Sequence, residues 1–304
     1  MLQKEMRYAP PSFERLVPGR LVHRRNLNDV LVTDSQPAGG DLFRCGVHWP
    51  LNHILFGRGS GIDAALVAET VRQVTTHVVH THYGVPLDTQ FLMSRLQITI
   101  DAAANERAVA SDLVVTLAMN DVRRNKTTLT SFVSRIDIHD RHGFVASGAG
   151  FARLVNAEAY RRSRTVAEPS RATARPPAVS KVRARQVGVV DDHLVLIAPT
   201  PSSMTFRLDP DPSVSAYFDH ELDHVPGMAI LESGRQAIRY VTRRPDADFL
   251  EADLRFAQLI ELDTPSYIDV RADGDESYSL TFSQDNNVRS SGSVRIRTRR
   301  SPLD

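Results

Sequence analysis

The strongest constraint in this chain is a five-residue pattern that occurs twice, each time on a stretch otherwise fit for a protein core. Glu69-Thr70-Val71-Arg72-Gln73 and Glu232-Ser233-Gly234-Arg235-Gln236 share the form Glu-x-x-Arg-Gln, and both charged residues return at one offset (232 − 69 = 163; 235 − 72 = 163). Residues three apart on a helix project from one face, so each copy sets a carboxylate beside a guanidinium. Burying such groups costs several kcal/mol unless they meet each other or lie in a wet cleft. One copy alone reads as an intrahelical ion pair. Two copies at a fixed offset point to one unit used twice, and to a working role for the pair.

The surroundings of the first copy predict the unit. Residues 62–82 carry Ile62, Ala65, Leu66, Val71, Val74 and Val78, with small Ala64, Ala68 and Thr70 between them and no proline before Pro86. That pattern predicts a long helix enclosed on most sides. Short strand pieces precede it at Val22-His23, 30–33 and 43–49, with a turn at 26–29 and a glycine-rich loop at 52–61 that lacks the GxxxxGK[ST] phosphate-loop spacing. Four alternating runs follow, at 93–100, 113–119, 129–138 and 144–154. They arrive at hairpin spacing and predict an antiparallel sheet.

The same order recurs at 193–198, 204–208, the second loop and helix, and then 249–262, 266–271, 278–283 and 288–298. The class is therefore α+β, with each half a long buried helix wrapped by its own antiparallel sheet. The first repeat spans 1–160, with 1–18 as a polar, proline-punctuated arm, and the second spans 186–304. Between them, 161–185 holds eight arginines and lysines against the single acid Glu168, the composition of an exposed tether or of a basic strip for an acidic partner. Side-by-side packing of the repeats, an internal pseudo-dimer, would hide sheet edges that a single copy leaves open.

A chain of 304 residues has room for two such cores. A formal net charge of +1 gives no general attraction to nucleic acid or membrane, and no apolar run approaches the roughly 20 residues of a membrane span. The single cysteine, Cys45, excludes an internal disulfide and a multi-cysteine metal site, fits a reducing cytoplasm, and reads as a small apolar filler.

The strand-helix-strands unit resembles the hotdog fold. The Pro226-Gly227-Met228-Ala229-Ile230-Leu231-Glu232 stretch also resembles its dehydratase branch, where a histidine precedes a Pro-Gly and a glutamate lies in the helix. More specifically, the doubled Glu-x-x-Arg-Gln, the Asp223-His224-Val225-Pro226-Gly227-Met228 run before the second copy, and the opening Val22-His23-Arg24 with Val30-Leu31-Val32-Thr33-Asp34 resemble the A-factor biosynthesis hotdog family, over about 16–299. The resemblance implies a tandem, or double, hotdog. It also implies an acyltransferase that condenses a β-ketoacyl thioester, on acyl carrier protein or coenzyme A, with the hydroxyl of dihydroxyacetone phosphate, on the way to a γ-butyrolactone, butenolide or furan-type signal. The family's glutamate and arginine fall on Glu69 and Arg72 and on Glu232 and Arg235.

Such a transfer needs a proton acceptor, an oxyanion stabiliser and a phosphate socket. With no Gly-x-Ser-x-Gly elbow, direct attack by the bound alcohol is more economical than an acyl-enzyme. The expected roles are Glu232 as proton acceptor, Arg235 or Arg72 on the phosphate, and the backbone N–H groups of Gly227 and Met228 on the thioester carbonyl. His220 or His224 assists the proton or braces the loop, and His53 stands where the first copy departs from the second. Only the second copy has the His-rich Pro-Gly approach, so Glu232 with Arg235 is the expected working site, and Glu69 with Arg72 a second or supporting one. Gly234 is expected to let another backbone or the acyl chain approach. No metal or cofactor enters this scheme. A hotdog dehydratase or thioesterase and a non-catalytic lactone-binding regulator stay open as alternatives, as does dimerisation beyond the single chain.

Overall fold

A computed structural model describes residues 9–50, 53–56, 61–167, 177, 179–219 and 222–297. The first half runs β1 (Val32–Pro37), β2 (Leu42–His48), helix α1 (Ala64–His82), β3 (Gln90–Ile100), the one-turn α2 (Ala102–Asn105), β4 (Asp112–Asn125), β5 (Thr128–Asp140) and β6 (Gly143–Val155). Helix α3 (Ala157–Ala167) leads away from it. The second half runs β7 (Ile197–Pro199), β8 (Thr205–Leu208), helix α4 (Gly227–Thr242), β9 (Asp248–Phe256), β10 (Ser266–Ala272), β11 (Ser277–Gln284) and β12 (Asn287–Arg297).

The twelve strands form one antiparallel sheet in the order β1-β2-β4-β5-β6-β3-β9-β12-β11-β10-β8-β7. Each half contributes its first, second, fourth, fifth, sixth and third strand in that sequence, and the halves join where β3 meets β9, with Gln97 opposite Asp253. The joint is closed by Arg95, whose Nε donates to Asp253 Oδ1 at 2.7 Å. Two strands that would be exposed edges in isolated halves thereby satisfy each other's backbone groups.

Sixteen of the nineteen residues of α1 are buried. Val67, Thr70, Val71, Val74, Thr75, Thr76, Val78 and Val79 make it a poor helix by intrinsic propensity, so burial within the sheet's curve holds it rather than local preference. Asp63 caps its start, accepting from the N–H groups of Ala65 and Leu66 at 2.8 and 3.2 Å. Sheet alternation supplies the facing surface, as with Leu113, Val115, Leu117 and Met119 of β4 and Tyr278, Leu280 and Phe282 of β11, all buried.

The two halves exchange bulk between helix and sheet. Val71 and Gly234 are equivalent positions (234 − 71 = 163). In the first half Val71 fills the space above Gly148, where a Cβ would stand 2.4 Å from Val71 Cγ2. In the second, a Cβ on Gly234 would stand 2.7 Å from Leu280 Cδ1, so the sheet's own leucine fills the space. The neighbours that Gly234 admits are Leu280 and Phe282 side chains, not the backbone or acyl chain expected of it.

Other local expectations also change. Val22-His23 is not a strand but the end of a 3₁₀ turn over Gly19–Val22, closed by His23 in the left-handed region (φ 52°). A Cβ at Gly19 would come 2.3 Å from Arg24 O, so only glycine permits this coil, which carries Arg24 toward α1. The 249–262 run is a strand only to Phe256. At the start of the basic stretch, α3 carries Arg164 to Glu261 Oε1 at 2.8 Å and Asp223 Oδ2 at 2.7 Å, so this arginine is bound rather than solvated. Arg171 and Arg175 lie outside the described residues. Cys45 is fully buried in β2, and burial pushes its thiol up. Among the described residues, no helix is long and apolar enough to cross a membrane.

Candidate active site

The last residue of the repeated motif is its anchor. Gln73 Nε2 donates to Glu69 Oε1 and to Asp29 O, both at 2.6 Å, while its Oε1 accepts from Leu31 N at 2.8 Å. Gln236 does the same to Glu232 Oε1, Leu194 O and Leu196 N at 3.0, 3.0 and 2.8 Å. Each glutamine is fully buried and pins the loop before its half's first strand to the helix. The equivalence it defines is 194 − 29 = 196 − 31 = 165.

Beyond this shared clip the two clusters differ in kind. Glu69 is fully buried between two guanidiniums. Its Oε1 accepts from Arg24 Nε and Nη2 at 2.9 and 2.8 Å and from Arg72 Nη2 at 2.6 Å, and its Oε2 accepts from Arg72 Nε at 2.9 Å. Burial alone would push this carboxyl up; the charges of Arg24 and Arg72 overcome it and bring it down to about 2. Glu69 is thus a permanent anion with no oxygen free to take a proton. Arg72 Nη2 also donates to Val22 O at 3.0 Å, which leaves the Nη1 edges of Arg24 and Arg72 with no partner among the described residues. The Arg72 side chain is 20% exposed.

In the second cluster the stoichiometry is reversed. Arg235, 3% exposed, donates through Nε to Glu232 Oε2 at 2.7 Å and through Nη1 to Asp63 Oδ1 at 2.9 Å and Asp248 Oδ2 at 3.1 Å, while its Nη2 lies 2.6 Å from Glu232 Oε2. All three nitrogens are engaged by carboxylates. Burial opposes the charge, yet Asp63, Glu232 and Asp248 hold the guanidinium well above its ordinary value. Asp248 is pushed up, first by burial and then by Asp63, against the pull of Arg235. Asp63 belongs to the first half and Asp248 opens β9, so Arg235 locks the halves together.

Between the halves lies a cavity of about 700 Å³. The first half lines it with Asn26, Asn28, Asp29, Pro50, His53 and Ile54, and the second with His193, Leu194, Asp211, Val214 and Ala216 among others. Asp29 and Leu194, whose carbonyls the two glutamines hold, lie in its walls. His53, buried and stacked on Phe56 at 4.5 Å, is fixed in one tautomer: Leu55 N–H donates to Nδ1 at 3.1 Å, so Nε2 carries the proton and donates to Asp29 Oδ1 at 2.7 Å.

The A-factor biosynthesis hotdog domain model matches residues 7–156 and 167–297 of this chain, nearly all of it and in two segments. The chain belongs to the A-factor biosynthesis hotdog family. Among curated proteins it is 32% identical over 286 residues to a 2-oxo-3-(phosphooxy)propyl 3-oxoalkanoate synthase of Streptomyces coelicolor, covering 88% of this chain and 89% of the relative. It is 29% identical over 278 residues to the protein of that name from Streptomyces virginiae, covering 88% and 93%. Solved structures place the A-factor family chain among tandem hotdogs. An acyl-ACP thioesterase from Bacteroides thetaiotaomicron superposes with a TM-score of 0.54 at 10% identity over 84% of this chain and 98% of its own. The 12:0-ACP thioesterase of Umbellularia californica does so with 0.51 at 11% over 86% and 99%. At such identities they establish the double hotdog fold and nothing of the chemistry.

In this member of the A-factor family the residues expected to work together fall in separate places. Glu69 and Arg72 form the first cluster, Glu232 and Arg235 the second, and His53 the cavity wall. His224 lies apart, its Nδ1 2.6 Å from Asp223 Oδ1 and 3.3 Å from the Tyr160 hydroxyl. Gly227 and Met228 open α4, whose N-cap Pro226 gives no side-chain cap, and a Cβ on Gly227 would stand 3.6 Å from both Met93 and Phe256. His220 lies outside the described residues. Arg24, Asp29, Asp63 and Asp248 escaped sequence reasoning. Only Arg24 had a signal, as the last residue of the family's opening Val-His-Arg.

Proposed function

We propose that this chain joins the acyl group of a 3-oxoacyl thioester to the free hydroxyl of dihydroxyacetone phosphate. The relatives' name describes an ester whose acid half is a 3-oxoalkanoate and whose alcohol half is a phosphorylated hydroxyketone. Forming that ester bond requires an activated acyl group and the hydroxyl of dihydroxyacetone phosphate, with acyl carrier protein or coenzyme A as the thiol released. The product is set up to close toward a γ-butyrolactone, butenolide or furan-type signal. Both substrates suit a cytoplasmic setting.

The observation that carries this reading is the first cluster's pair of guanidiniums with open Nη1 edges. Arg24 and Arg72 offer four further N–H donors in planar forks, the geometry that suits phosphate. Glu69 acts as the strut that keeps both forks aimed without neutralising them fully. Arg235, surrounded by Glu232, Asp63 and Asp248, serves the fold. At the start of α4, the uncapped N–H groups of Gly227 and Met228 polarise the thioester carbonyl, and the helix dipole favours the negative charge that develops there. His224 and the Asp223 carboxylate brace that turn.

The test is turnover by the full chain with a 3-oxoacyl thioester, with and without dihydroxyacetone phosphate, followed by mass spectrometry and a free-thiol assay. The expected result is a phosphorylated ester formed mole for mole with released thiol. Thiol released at the same rate without the phosphate, and no ester, would make the chain a hydrolase.

A further inference from the structure

Neither motif glutamate is able to accept the hydroxyl proton. Glu69 has both oxygens engaged by Arg24, Arg72 and Gln73, and Glu232 by Arg235 and Gln236, and both carboxylates are buried. Asp29, which lines the cavity, has a buried carboxylate oxygen that is not engaged. Asp29 is 4% exposed, its Oδ1 receives the His53 Nε2–H bond, and its Oδ2 is buried with no hydrogen-bond partner among the described residues. A buried acceptor left open costs about 1–3 kcal/mol. Such a cost is tolerated where a ligand completes the bond.

The geometry points to Asp29 as the proton acceptor of acyl transfer, with His53 as its positioning residue; this rests on the function proposed above. Three arrangements support it. Asp29 sits on the wall of the 700 Å³ cavity between the halves. Its carbonyl is pinned by Gln73, which also holds Glu69, so its place is fixed relative to Arg24 and Arg72. Arg24 lies within electrostatic reach of Asp29. A three-carbon ketone with a phosphate at one end and a hydroxyl at the other would lay the phosphate on the guanidiniums and the hydroxyl on Asp29 Oδ2.

The second half shows what the unarmed version looks like. The counterpart of Asp29 is Leu194, whose carbonyl takes the matching bond from Gln236. One wall of the cavity therefore carries a carboxylate where the other carries a leucine. The step balances: the hydroxyl proton passes to Asp29 Oδ2 as the oxygen bonds to the thioester carbonyl carbon. Collapse of the tetrahedral oxyanion breaks the C–S bond, and the proton returns from Asp29 to the leaving thiolate. Asp29 ends as it began.

The deciding experiment is steady-state kinetics of the full-length Asp29→Asn variant with a 3-oxoacyl thioester and dihydroxyacetone phosphate. Asparagine keeps the shape and an acceptor for His53 but not the proton-accepting oxygen. The expected result is a fall in kcat of about a hundredfold or more, with KM for dihydroxyacetone phosphate near the wild-type value. A kcat within a few-fold of wild type overturns Asp29 as the base while leaving the proposed function standing. Wild-type protein that forms no ester overturns both. Should Asp29→Asn fail to fold, His53→Leu carries the test: it removes the donor to Asp29 Oδ1 and is expected to lower kcat about tenfold at unchanged KM, whereas an unchanged kcat overturns the pairing.

Discussion

Replacing Arg235 with leucine is expected to cost the fold about 3–5 kcal/mol, the usual loss when one partner of a buried ionic group is removed. The guanidinium is the direct counter-charge of Glu232, Asp63 and Asp248, which are 4%, 7% and 7% exposed. Leucine fills much of the volume, so the loss comes from three carboxylates stranded without their cation rather than from a cavity. Stranded carboxylates take up protons, which raises their folded-state values above the unfolded ones. The penalty is therefore greatest at neutral pH and shrinks as pH falls toward the range where those carboxyls protonate. Urea unfolding at neutral and mildly acid pH measures both features. A loss near zero at neutral pH would show that Arg235 is not the lock between the halves.

The next largest effect is expected at the clips. Gln73→Leu strands the N–H of Leu31 and the carbonyl of Asp29, and Gln236→Leu strands the N–H of Leu196 and the carbonyl of Leu194. At about 1–3 kcal/mol for each unsatisfied buried group, each substitution is expected to cost about 2–4 kcal/mol. The stability losses should match, because the clips match bond for bond. Activity should not. Gln73 holds Glu69, the strut of Arg24 and Arg72, and the loop bearing Asp29, whereas Gln236 holds Leu194 and a glutamate committed to Arg235. Turnover measured well below either variant's unfolding temperature should fall at least tenfold for Gln73→Leu and little for Gln236→Leu. Equal losses of turnover would mean that both halves take part in the chemistry.

Much of the fold could be read before any coordinates because its signals are local. A run of apolar and small residues with no proline gave a helix at 62–82, and Ala64–His82 forms it; alternation gave the strands that became β3 to β6 and β10 to β12. The repeat itself was visible because ionic residues on a core helix are rare enough to be noticed twice. What was not legible is what depends on contact between distant segments. Arg24 reaches Glu69 only because Gly19 lets the chain coil where Val22-His23 reads as a strand. Asp63 reaches Arg235 from the other half and Asp248 from the start of β9, and nothing near Arg235 in the sequence foretells these two carboxylates beside Glu232.

The consequence is a reversal of emphasis between two motifs that look alike. The His-rich Pro-Gly approach favoured the second copy as the working site, but that approach bears on the turn before α4, not on the state of Glu232 and Arg235. In the second cluster one cation is shared among three anions; in the first, one anion braces two cations. The first has guanidinium donors to spare, and its clip leads to Asp29 on the cavity wall. The second spends its guanidinium on the joint.

That division of labour is tested most directly by the KM for dihydroxyacetone phosphate in Arg72→Lys and Arg235→Lys, measured side by side at saturating thioester. Lysine keeps the charge and loses the planar fork. The expected result is a KM raised about tenfold or more in Arg72→Lys, the loss of one charge-assisted bond, and a KM near wild type in Arg235→Lys, whose change appears in thermal stability instead. A raised KM in Arg235→Lys alone, with Arg72→Lys unchanged, would contradict it and return the phosphate to the second cluster.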